Sequence, residues 1–180
     1  MRKARIAAVL LLVLFGGVAV LVTRTNPARP ASFAGCGVER WAVKTLQDRP
    51  LLRPARTSSL SFLVTRPAPA VLPDRRLPAE RGVYTVIASV VLVRPEADSD
   101  LHLVLSDGVR EMIAESPSPA CTARALTPLR HAMAVARSQV RLCRRAKVTG
   151  VEFFDFNHGQ TGVAANAIEL HPVLAFTCLA

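Results

Sequence analysis

The sequence predicts an α+β, mostly β fold. Its expected core is a five-stranded small barrel with one helix between strands 3 and 4, preceded by an N-terminal hydrophobic export or anchor helix. Three observations predict it. The C-terminal half strings together β-branched and alternating apolar stretches separated by turn residues. One amphipathic helical stripe interrupts that series after its third stretch. An unbroken apolar run behind a basic flank opens the chain.

That opening segment reads "MRKARIAAVLLLVLFGGVAVLV", with Arg2, Lys3 and Arg5 ahead of a run from Ile6 to Val22. Such a layout is that of a signal peptide or a signal anchor, whose basic flank stays in the cytoplasm. The chain is therefore expected to be exported, either membrane-anchored through a transmembrane helix or secreted on the extracytoplasmic side. Ser32 and Ala34 suit a cleavage site, whereas lipidation at Cys36 is disfavoured by the polar "TRTNPARPAS" that separates it from the apolar run. The leader also inflates the charge. Setting aside its five basic residues reduces 23 basic side chains to 18 against 13 acidic ones, a net of +5. That is weak support for a nucleic-acid partner.

Cys36, Cys121, Cys143 and Cys178 are expected to form disulfides in an exported chain. Four cysteines allow three pairings. Cys36 with Cys121 and Cys143 with Cys178 is favoured, because it joins the start of the mature chain and the C-terminus to the two ends of the helical region. No C-x-x-C pair is present to suggest zinc or dithiol chemistry.

The elements follow in order. "ERWAVKTLQD" alternates around Trp41 and Val43 and predicts a short strand. "RTSSLSFLV" predicts a short helix capped by Thr57, with Leu60, Leu63 and Val64 on one side. "TRPAPAVLPDRRLPAERG" is a proline-rich connector. "VYTVIASVVLVR" is a long β-branched strand, "EADSD" a turn, and "LHLVLSD" a strand with Leu101, Leu103 and Leu105 on one face and His102 and Val104 on the other. Asp107 and Gly108 turn it into the return strand "REMIAE". Thr127 as cap and Pro128 in the first turn open a helix with Leu129, Met133, Ala136 and Val140 on one stripe. Arg130, Arg137, Arg141 and Arg144 make a basic face beside that stripe. "KVTGVEFFDF" and "NAIELHPVLAF" are two further strands, with Gly150 marking a bulge and Pro172 suggesting an edge.

Three strands, a helix and two strands is the chain order of an OB-fold. The expected organisation is a leader with a short stalk over residues 1–35, an N-terminal extension over 36–81 and an OB-like domain over 82–180. The segments "ERWAVKTLQD", "DSDLHLVLSD", "MIAE", "VTGVEFFDF" and "HGQTGVAANAIELHPVL" also resemble an uncharacterised family of exported bacterial proteins. Its most specific part is the C-terminal HGQTGxAxNxIELHPVL segment. The resemblance covers most of the chain after Cys36 and implies no catalytic assignment.

Candidate ligands come from the polar positions of the strands. Asp100 with His102, and Glu169 with His171, form two acid-x-His pairs opposite the apolar faces. Asp155 and His158 at the end of the fourth strand complete the set, with Asn166 at the start of the fifth. Together these carboxylates and imidazoles can supply oxygen and nitrogen ligands to one divalent metal, with Glu169 as a general base. Equally, a strand with one wet face carries such residues without further purpose. The leading reading is a membrane-tethered binding or structural module of the cell envelope, with an unknown ligand or protein partner and no cofactor. The alternative is a secreted metal-dependent hydrolase, a nuclease among the options, using the same residues. A third reading is single-stranded nucleic-acid binding along the helix arginines, against which the aromatic content of 5% counts.

Overall fold

The computed structural model describes residues 35–180, so the leader read at residues 6–22 lies outside the described residues. Its elements are α1 (Trp41–Lys44), β1 (Arg56–Thr57), α2 (Leu60–Val64), a 3-10 turn (Ala79–Arg81), β2 (Val83–Pro95), β3 (Leu101–Ser106) and β4 (Glu111–Ser116). A second 3-10 turn (Pro119–Thr122), α3 (Thr127–Gln139), β5 (Cys143–Phe154) and β6 (Ile168–Cys178) complete the chain.

The strands run in the order β1-β2-β3-β4-β6-β5, and β5 pairs back onto β2. Strands β2 to β6 thus close a small mixed barrel with α3 between its third and fourth strands, in agreement with OB-fold-like topology. The β4–β6 pair is parallel and the other barrel pairs are antiparallel. Closure depends on the length of β2. Its first half pairs with β5 and its second half with β3, with register irregularities between Ala88 and Leu92 where it bends. Gly150 marks the matching irregularity in β5. A Cβ there would lie 2.8 Å from that of Leu170, so the two strands approach too closely for any larger residue.

Several expectations are corrected. Residues 41–44 form a helix, not a strand: the Thr45 N–H closes onto the Trp41 carbonyl at 3.0 Å, and the adjacent Val43 and Lys44 both bury instead of alternating. Ser59 caps α2 through its hydroxyl, which accepts from the Phe62 N–H at 3.1 Å; Thr57 belongs to β1. Leu126, not Thr127, occupies the N-cap of α3 and offers no side-chain bond. Pro172 lies inside β6, which is flanked by β4 and β5. Its missing N–H falls in the irregular stretch between Leu170 and Val173 rather than on an edge.

The membrane assignments are corrected as well. Among the described residues no helix is long and apolar enough to cross a membrane. The 13-residue α3 extends only about 20 Å against a hydrocarbon core of about 30 Å. A transmembrane helix, a membrane partner and a membrane-anchored location are not carried forward.

Inside the barrel, alternate positions such as Val86, Leu103, Leu105, Met112, Ala114, Leu170 and Phe176 form one core, to which α2 adds Leu60 and Leu63. A smaller cluster of Leu46, Val83, Met133 and Val151 joins the extension and α3 to the barrel's outer surface. Disulfides Cys36–Cys121 and Cys143–Cys178 have Cα atoms 5.7 and 5.9 Å apart. The first fixes the start of the extension beside the turn that precedes α3.

Candidate metal centre and cleft

Alternation along β3, β4 and β6 sends leucines inward and His102, Glu115, Glu169 and His171 outward. The outward face is not wet. α1 and the loop after β5 cover it, and Asp100, His102, Glu169 and His171 are all buried. The expectation of a solvated polar face is thereby corrected.

Glu115 is the hub. It sits directly across the hairpin from His102, whose Nδ1 is 3.1 Å from Glu115 Oε1. Glu115 Oε2 is 3.0 Å from His171 Nδ1, and Asp100 Oδ2 is 3.2 Å from His171 Nε2. The distances around His171 are those of ion pairs, but the ring N–H directions miss the oxygens. Both of its nitrogens and both Asp100 oxygens therefore lack a well-formed hydrogen bond. His102 is different. Its Nε2 donates to the Thr161 carbonyl at 2.9 Å, leaving Nδ1 facing Glu115 and, at 3.5 Å, Glu96 Oε1. Two triads that can hold a divalent metal ion result, sharing Glu115: Glu96–His102–Glu115 and Asp100–Glu115–His171.

Charge in this cluster follows from burial opposed by close partners. Burial pushes Glu115 upward, but contacts from His102 and His171 and the charge of Lys44 outweigh it and hold the carboxyl below the usual range. Burial likewise opposes protonation of the two histidines. Even so, the surrounding carboxylates raise His102, and raise His171 well above the ordinary imidazole value. Burial and the charge of Glu115 push Glu169 up to about 7, and burial raises Asp100 against the pull of His171.

A cleft of about 180 Å³ opens onto this wall. Glu96 and Glu115 line it from the barrel, Lys44 from α1, and Asp155 and His158 from the loop after β5. Lys44 Nζ donates to Asp155 Oδ2 at 2.6 Å. Burial alone would lower Lys44, but the charges of Asp155 and Glu169 raise it, so it stays a cation. At the exposed mouth, His158 Nε2 is 2.9 Å from Glu39 Oε2, and Asp155 completes a third possible triad with them.

The structure thus gathers Asp100, His102, Glu169 and His171 into one buried cluster and sets Asp155 and His158 along the cleft. Asn166 stands apart. Its amide donates to the carbonyls of Leu63 and Arg66 at 2.9 and 3.0 Å and so anchors the end of α2. Glu169 does not line the cleft, which removes it as a general base acting on a ligand there. The helix arginines do not form one face. Arg137 turns inward to the carbonyls of Ser116 and Ser99, Arg141 follows the end of α3, and Arg144 lies in β5. Sequence reasoning missed Glu96, Glu115 and Lys44. A two-residue turn at Asp107–Gly108 would set His102 against Ile113; the loop instead takes the four residues 107–110, pairing Ser106 with Glu111 and His102 with Glu115.

Glu152 lies outside this cluster, buried with its carboxylate 3.1 Å from Arg66 Nε. Burial raises it to about 7, against the opposing charge of Arg66. An acid whose folded value is raised keeps a proton that the unfolded chain releases. Stability is therefore lost as pH climbs from the unfolded value towards about 7, by at most about 3 kcal/mol. Glu152→Gln should match the parent near pH 4.5, gain on it up to about pH 7 and hold a level advantage above that, as read from paired thermal melts. A gap that does not grow with pH contradicts this.

No protein family and no curated protein matches the chain. Among solved structures, Entamoeba histolytica asparaginyl-tRNA synthetase is similar over 58% of this chain, at 13% identity and a TM-score of 0.38. The same enzyme in complex with asparaginyl-adenylate is similar over 61%, at 12% identity and 0.37. The chain spans only 22% and 23% of the lengths of those two chains. Likeness at this level carries no argument about fold or function.

Proposed function

We propose that the protein is a divalent-cation-dependent hydrolase built on an OB-fold, with the barrel over residues 82–180 and the extension over 36–81 supplying one wall of its cleft. The observation that carries this reading is the convergence of Glu96 Oε1, His102 Nδ1 and Glu115 Oε1 at separations of 3.5 and 3.1 Å beside the cleft. Ligand bonds of about 2.0–2.2 Å in a tetrahedral arrangement put donor atoms roughly 3.4 Å apart, which this set matches. The Thr161 carbonyl supports it further. By accepting from Nε2 it fixes the tautomer that presents the Nδ1 lone pair, as carbonyls commonly do for metal-binding imidazoles. The inner triad is closed to solvent and serves as support, with His171 holding the second oxygen of Glu115.

A bound cation of this kind lowers the pKa of a water and polarises an ester or phosphoryl oxygen. The chain supplies the rest. Lys44 offers a fixed positive charge at the cleft wall where negative charge develops. His158, which pairs with Glu39 and lines the same cleft, would accept a proton from the attacking water.

The test is turnover of a nitrophenyl phosphodiester and of nitrophenyl acetate, before and after chelation. Hydrolysis should vanish with chelator and return with zinc or manganese. His158→Ala should lower kcat by about 10²–10⁴-fold while metal content stays unchanged. Turnover that survives complete metal removal contradicts the reading, as does an active His158→Ala variant at parental rate for the role of that residue.

A further inference from the structure

At the α2 side of the barrel, two arginines crowd around one aromatic pair, and a third precedes them in the chain. Arg56 Nη2 and Arg66 Nη1 both donate to the Tyr84 hydroxyl, at 3.0 and 2.6 Å, so two guanidinium groups converge on a single neutral oxygen. Both also lie over the Tyr84 ring, 5.4 and 5.7 Å from its centroid. Arg53 stands three residues before Arg56, and its N–H donates to the Arg81 carbonyl at 2.8 Å, which fixes its backbone beside the start of β2. The nearby carboxylates are engaged elsewhere than on Arg53 and Arg56: Glu152 pairs with Arg66 Nε at 3.1 Å, and Glu80 with both terminal nitrogens of Arg40 at 2.8 Å. Arg53 and Arg56 are left exposed to solvent.

Beside them Phe62 keeps 52% of its surface exposed, although the chain is poor in aromatic residues. Arg66 sits 5.7 Å from the Phe62 centroid and the Tyr84 ring 6.3 Å from it. Asn166 pins the carbonyls of Leu63 and Arg66, so the element that carries Phe62 and Arg66 is held in place.

We propose that Arg53, Arg56, Arg66 and Phe62 form a docking surface for single-stranded nucleic acid, separate from the metal cleft. Guanidinium forks match phosphate oxygens, and an exposed ring flanked by cations suits an unpaired base. Duplex bases are paired and cannot stack on such a ring.

Fluorescence anisotropy of a labelled oligo-dT, in chelator so that the metal reading plays no part, tests this. Binding should weaken with salt at a slope of about −2, as three phosphate contacts on a single strand require. Arg56→Glu should lower affinity about tenfold or more and flatten the slope, at unchanged melting temperature. Phe62→Ala should lower affinity at least about fivefold and leave the slope alone. Heparin should compete through charge, with an affinity indifferent to Phe62→Ala. No binding at low salt would overturn the proposal. So would binding lost in Arg141→Glu with Arg144→Glu but retained in Arg56→Glu, or an oligo-dT affinity that Phe62→Ala leaves untouched.

Discussion

Protein loaded with zinc or manganese should unfold several degrees above chelated protein, and His102→Ala should lose that entire difference. A ligand at about 100 times its dissociation constant adds about 2.7 kcal/mol to the folded state. For a chain of this size each kcal/mol moves the melting temperature by about 2–4 °C, which gives a shift of about 5–10 °C. His102 supplies the nitrogen of the outer triad and is held through its other nitrogen by Thr161. Removing it leaves two carboxylates, one of them partly exposed and shared with Arg94. The comparison is between metal and chelator within each variant, because losing a buried imidazole also weakens the metal-free protein. Glu115→Gln keeps the side-chain volume and should lose the shift as well. A His102→Ala protein that retains the full metal-dependent shift contradicts the assignment of the ligand.

Arg40→Ala should cost about 3–5 kcal/mol, the largest single loss expected from a charged residue in this fold. Arg40 and Glu80 are fully buried and meet through two bonds of 2.8 Å. Arg40 also donates to the carbonyls of Phe154 and Pro73 and lies 4.6 Å from the Phe153 ring. Alanine leaves Glu80 as a buried charge without its partner. Arg40→Met with Glu80→Leu should lose far less than the sum of the single changes, because it removes both charges together. By contrast, Arg110→Ala breaks an exposed contact of 3.9 Å to Asp107 and should fall within about 0.5 kcal/mol of the parent. Denaturant titrations read each of these variants and the two single changes of the double. The effect reaches the site, because Arg40 immediately precedes α1 and so positions Lys44 on the cleft wall.

The barrel was legible because its strands obey a two-residue period and its long helix a three-to-four-residue one. The hairpin over residues 101–116 and the order of strands around α3 follow directly from those patterns. The disulfide pairs were legible for a related reason: Cys143 and Cys178 stand at the ends of β5 and β6, and Cys121 in the turn before α3. The site was legible only as residue types. Asp100, His102, Glu169 and His171 looked like a wet face, since alternation reports which side a residue takes and not what covers it. The cover comes from α1 and the loop after β5, whose packing against the strands is a long-range contact with no local signature. Trp41 and Val43 read as a strand for the same reason. A four-residue helix has too few positions to show its period, and Arg40, at φ 48°, sets its start through a backbone conformation that the arginine does not advertise. Glu115 was hidden by register, which depends on where the turn is centred.

Anomalous diffraction from crystals grown with zinc or manganese tests the central claim most directly. The account predicts one strong peak within about 2.0–2.2 Å of His102 Nδ1 and bonded to Glu96 and Glu115. A peak confined to His158 and Glu39 at the mouth, or at His171 in the closed interior, or no peak from protein that still hydrolyses its substrate, would contradict it.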